Sequence, residues 1–114
     1  MSEHSEQVIV CQYLDMKGIK YFAVPNGAAI GGRNKWAQIS KLKAEGMKNG
    51  APDLVIIDRS PLSGRHVVLE MKTKNGELSE EQETMREDFI ENDWQYMVGY
   101  GAGDAIRQLS EIGW

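Results

Sequence analysis

Two short apolar runs, Leu54-Val55-Ile56-Ile57 and Val67-Val68-Leu69, each carry charge at one end: Asp53 opens the first, and Glu70-Met71-Lys72 follows the second. Consecutive apolar residues suit strands that are covered on both faces. The connector from Arg59 to Arg65 contains Ser60-Pro61 and Ser63-Gly64 and reads as a hairpin loop. If the runs pair as a hairpin, Asp53 and Glu70 become cross-strand neighbours. Strand alternation puts Glu70 and Lys72 on one face and Met71 on the other. A fold that satisfies these runs therefore gathers two carboxylates and an ammonium at one edge of the sheet.

The rest of the chain supplies alternating helices and strands. Ser2 or Ser5 can cap a first helix whose apolar residues are Ile9, Val10, Tyr13, Leu14 and Met16, with Gly18 ending it. A short strand, Lys20 to Val24, stops at the turn signal Pro25-Asn26-Gly27. Lys35 to Glu45 forms either a helix or an ordered loop, with Trp36, Ile39 and Leu42 spaced by three. Ser79-Glu80-Glu81-Gln82 matches a capping box and starts a helix that runs to about Asn92, with Gln82, Met85 and Phe89 on its inner face. Trp94 to Val98 returns as a strand, and Gly99, Gly101 and Gly103 suggest a flexible turn. Asp104 can then cap a last helix, Ala105 to Ile112. The order predicts an α/β domain with a mixed central sheet flanked by helices.

At 114 residues the chain has room for one domain, 1–114, and can bury a core without disulfides. No apolar run approaches the roughly 18 residues needed to cross a bilayer, and residues 1–6 lack the pattern of a signal peptide. Cys11 is the single cysteine, which excludes an internal disulfide and a thiolate zinc site; a reducing cytoplasm suits it. His4 and His66 show no metal spacing. The net charge of −4 argues against a simple polyanion binder, but the charge is unevenly distributed. Arg33, Lys35, Lys41, Lys43 and Lys48 stand against Glu45 alone between Gly31 and Gly50, whereas Glu77 to Asp93 is strongly acidic. The basic segment can meet phosphates or simply be solvated. Trp36, Trp94 and Trp114 suit a core, an interface or base stacking.

Two carboxylates close together repel, and a divalent cation between them removes the repulsion. Mg²⁺ or Mn²⁺ suits such oxygen ligands. Lys72 could then orient an attacking water or stabilise charge on a phosphodiester transition state. The competing reading is a structural ion pair between Lys72 and either acid.

Pro52-Asp53 followed by Glu70-Met71-Lys72 resembles the signature of the PD-(D/E)XK nuclease superfamily, whose core is restriction-endonuclease-like. More narrowly, the chain resembles the VRR-NUC family, especially its small stand-alone members from bacteriophages and bacteria. The matching words are Pro25-Asn26-Gly27, the stretch Gly46 to Leu54, Glu70-Met71-Lys72 and Leu78-Ser79-Glu80-Glu81-Gln82. The resemblance implies a Mg²⁺- or Mn²⁺-dependent DNA endonuclease. It implies metal ligation by Asp53, Glu70 and the Met71 main-chain carbonyl, with Lys72 as the catalytic lysine. It implies a first-helix acid near the metal, for which Glu6 is the candidate, and a substrate or metal-water contact for Gln82. It also implies a homodimer acting on branched DNA such as four-way junctions. A non-catalytic DNA-binding module and a sequence-specific restriction-type enzyme are the competing functions.

Overall fold

The computed structural model describes residues 1–25 and 31–114, so Asn26 and Gly27 of the expected turn lie outside the described residues. The element order is α1 (Glu3–Met16), β1 (Tyr21–Ala23), α2 (Lys35–Ala44), β2 (Leu54–Ile56), β3 (Val67–Lys72), α3 (Glu80–Glu91), β4 (Gln95–Tyr100) and α4 (Ala102–Glu111). The four strands form one sheet in the order β1-β2-β3-β4. β1 and β3 both run antiparallel to β2, and β4 runs parallel to β3 through the α3 crossover. The result is the expected mixed α/β architecture.

The two apolar runs pair as a hairpin, with Leu54 opposite Leu69 and Ile56 opposite Val67. Every second residue of β3 then points the same way. Val67, Leu69 and Met71 join Leu54, Ile56 and Met97 beneath Val10 and Leu14 of α1 and Ala105 and Leu109 of α4. Leu14, Leu54, Ile56, Leu69 and Leu109 are completely buried, and each contributes roughly 1.5–3 kcal/mol relative to exposure. The opposite face lies under α3. Gln82, Met85 and Phe89 are the residues of α3 that are not fully exposed, matching the inner face read from the sequence. Coverage fails toward β1, where Phe22 and Ile57 are about half exposed. Trp94 packs edge-on against Phe89 and tilted against His66, with ring centroids 5.3 and 5.1 Å apart, respectively. No described helix is long and apolar enough to cross a membrane.

The chain differs most from its sequence reading after β4. Gly99 does not start a turn; it continues the ladder opposite Met71, and Tyr100 pairs with Lys72. α4 begins at Ala102, ahead of the Asp104 cap expected from sequence. The cause is a long-range cap: the Glu6 carboxylate accepts a hydrogen bond from the Ala102 N–H. Asp104 lies inside the first turn and accepts from the Tyr100 N–H at 3.0 Å. Further long-range contacts hold the segment after α4. The Tyr13 hydroxyl donates to the Trp114 carbonyl at 2.7 Å, and buried Ser60 donates to the Ile112 carbonyl at 2.6 Å.

Gly99 also permits β4 and α4 to approach closely. A Cβ at this position would lie 2.7 Å from the Ala105 Cβ. Gly99→Ala should therefore push α4 from the sheet and destabilise the protein by about 1–3 kcal/mol. Urea unfolding compared with the wild-type protein measures this; an unchanged midpoint would show that α4 moves freely.

Candidate active site

The hairpin register continues one step beyond β2 and brings Asp53 opposite Glu70. Asp53 is anchored through its own backbone and through its side chain. Its carbonyl accepts from the Val24 N–H at 2.9 Å, and its Oδ2 accepts from the Met71 N–H at 2.7 Å. Glu70 is only 3% exposed. Among the described residues, its Oε1 is buried without a hydrogen-bond partner. Burial pushes the Glu70 carboxyl up to about 9; a hydrogen bond with Asp53 and that residue's charge push the same way. The Lys72 ammonium opposes the shift, and Glu3 adds to it.

Glu70 and Lys72 share one face of β3, as alternation requires, while the Met71 side chain enters the core on the other. Only the main chain of Met71 reaches the acidic pair, through its N–H. Lys72 is half-buried. Among the described residues the ion pairs join Arg65 to Asp93, Arg86 to Glu83, and Arg107 to Asp104 and Glu111. Lys72 is in none of them, so the structural ion-pair reading is not met.

An unpartnered buried carboxylate oxygen beside a second carboxylate is a donor set that fits a hard divalent cation. Among the described residues, no group of three or more His, Cys, Asp or Glu side chains is arranged to hold a metal. The acids form a pair, which suits Mg²⁺ or Mn²⁺: such ions are held by one or two carboxylates and keep several waters. Asp53 and Glu70 would hold the ion.

The pair opens into a cavity of about 470 Å³ bounded by α1, α2, the segment before β2 and the start of α3. Lys35, Lys43 and Lys48 line it; Arg33 and Lys41 are exposed but outside its lining. Gln82 also lines it. Its Oε1 accepts from the Ser79 N–H at 2.8 Å, completing the capping box. Among the described residues its side-chain amide nitrogen has no partner, which leaves a donor after the structural role is met. Gly50 lets the segment before β2 pack against the backbone of this helix start. It has φ of +86°, and a Cβ there would lie 2.5 Å from the Glu81 carbonyl carbon.

Glu6 is not among the lining residues; its carboxylate is used on α4. Glu3, one turn earlier, lines the cavity instead. Glu6 lies four residues before buried Val10, so it shares the stripe of α1 that faces α4. Tyr96 escaped the sequence reading. Its hydroxyl is buried without a partner among the described residues, and burial together with the charges of Glu70 and Asp53 raises its pKa. Alternation along β4 puts it on the Glu70 face, two positions before Val98, the register partner of Glu70.

The model of the VRR-NUC domain family matches residues 3–103. A solved structure described as a VRR_NUC domain protein has a TM-score of 0.79 at 18% identity, covering 99% of this chain and 88% of the other. At that identity the likeness is one of fold. The comparison with curated proteins finds no match.

Without metal, folded Glu70 keeps its proton to about 9, whereas an unfolded glutamate releases it near 4.5. The folded chain therefore binds the extra proton in this window, and stability falls as pH rises through it. Glu70→Gln removes this proton exchange. The metal-free variant should gain stability over the metal-free wild type progressively as pH rises across the window. Urea unfolding in a chelator at several pH values tests this; parallel pH profiles would refute the raised Glu70 pKa.

Proposed function

The chain belongs to the VRR-NUC domain family, a nuclease-type fold, and from that premise we propose that it is a metal-dependent endonuclease hydrolysing phosphodiester bonds in DNA. The observation that carries this reading is the buried, unpartnered Glu70 Oε1 beside Asp53, on the same strand face as an ammonium free of ion pairs among the described residues. Asp53 and Glu70 hold the cation, with the Met71 carbonyl as a third oxygen. When bound, Mg²⁺ or Mn²⁺ supplies Lewis-acid activation of the phosphodiester and a water of lowered pKa. Lys72 stabilises the negative charge that develops on the phosphate oxygens or orients the attacking water. The spare amide of Gln82 donates to the phosphate or to a water. Lys35, Lys43 and Lys48 contact the backbone inside the cavity, and Arg33 and Lys41 contact it further out; such contacts position a strand without reading its sequence.

The preferred substrate in this reading is branched DNA such as a four-way junction, cut by a homodimer. One chain carries one acidic pair, and resolving a junction takes two symmetric cuts. A C₂ dimer supplies two sites in that relation.

Lys72→Ala and Asp53→Asn should each lower cleavage on the order of 10²–10³-fold or more while the protein stays folded. Near-wild-type cutting by a folded Asp53→Asn protein would reject the site, and DNA binding without any metal-stimulated cutting by the wild type would favour a non-catalytic module. Mg²⁺ or Mn²⁺ should raise Tm by mass action, and Glu70→Gln should remove that rise. Sedimentation at micromolar concentration, with cleavage of junction and linear duplex compared, tests dimer and substrate together. A monomer that cuts both equally would end the junction reading and leave the nuclease reading intact.

A further inference from the structure

α2 is a helix without a buried residue. Its apolar side chains do not explain themselves as core: Ile39 and Leu42 are half-buried, and Trp36 is 76% exposed. Helices in proteins owe most of their stability to a packed apolar face. Exposure alone does not single Trp36 out, because Met1, Met16 and Leu62 are equally exposed; its position does. Trp36 lines the same cavity as Asp53 and Glu70. One cation lies against it, with the Lys35 Nζ 5.4 Å from the ring centroid, and Lys43 and Lys48 line the same cavity.

We propose that Trp36 is a stacking platform for one unpaired base of the DNA strand that enters the cavity, so that this site prefers DNA with an exposed base face. The proposal rests on the nuclease reading for the identity of the strand. An aromatic ring flanked by lysines is the arrangement by which proteins hold single strands: the cations follow the phosphates, and the ring takes a base face. In continuous duplex each base face is covered by its neighbours, so only the lysines engage. At a single-stranded flank, a frayed end or the open centre of a branch, a face becomes available. Trp36 then distinguishes such DNA from intact duplex without base-edge contacts. A second copy of the chain could also cover the ring, but it would sit on the wall of the cavity that the scissile strand has to enter. The base is therefore the occupant that leaves the acidic pair accessible.

The test uses the Lys72→Ala protein as an uncut background in Mg²⁺. Fluorescence anisotropy gives Kd for a paired duplex and for the same duplex extended by a single-stranded thymidine flank. Adding Trp36→Ala should weaken flanked-DNA binding about tenfold or more, and leave duplex binding unchanged. Trp36→Phe should recover most of the loss. Equal losses on both DNAs, or no loss on the flanked DNA, would overturn the proposal. So would a Trp36→Ala protein that sediments as a monomer where the parent is a dimer, because a second copy would then own the ring. Absence of any DNA binding by the parent would overturn it as well. Flank-selective binding that depends on Trp36, in a wild-type protein that cuts nothing, would support it while rejecting the nuclease reading.

Discussion

The hydrogen bond from the Met71 N–H to the Asp53 carboxylate is the contact on which the site depends. It lies where the β2–β3 register runs out, and it joins the end of the hairpin to the backbone of its central strand. A one-residue slip would turn Glu70 and Lys72 into the core and Met71 out of it. The apolar cluster under α1 and α4 forbids that slip. Packing on one face of the sheet thus fixes the chemistry on the other, and Asp53 needs no neighbouring helix to orient it.

The arrangement has a stability cost. Glu70 is buried against a second carboxylate, and its Oε1 finds no partner among the described residues. A core residue at that position would be apolar. Natural folds accept such groups where a ligand later satisfies them. The surroundings are rigid enough to bear it: Gly50 seats the preceding loop on the first turn of α3, and the capping box fixes that turn. Another wall of the cavity is α2, which has no fully buried residue. One side of the site is held fast and the other rests on few contacts.

The hairpin and α3 were legible because their signals are local. Apolar runs, strand alternation and the Ser79–Gln82 box need only neighbouring residues to work. α4 was misread for the opposite reason. Its cap comes from Glu6, remote in the chain, and no window around Asp104 contains that information. The same hydrogen bond ties Glu6 to α4, and Glu3, not Glu6, lines the cavity. α2 was ambiguous because the spacing of Trp36, Ile39 and Leu42 announces a helix without saying what lies against it. Tyr96 was missed because a lone tyrosine in a strand looks like packing until its hydroxyl is found buried and unpaired.

The long-range ties of α1 bear on how the chain acquires its shape during synthesis. The β2–β3 hairpin is closed by a short connector and can form while the chain is still being made. Its apolar underside, however, waits for α4, and α1 waits with it, since Glu6 and Tyr13 find their partners at Ala102 and Trp114. Contacts of such sequence separation are slow to close. The hairpin can thus pair first, while the apolar layer that fixes its register is completed only when α4 packs. Until then one face of the sheet is uncovered, the kind of transiently exposed apolar surface that favours aggregation.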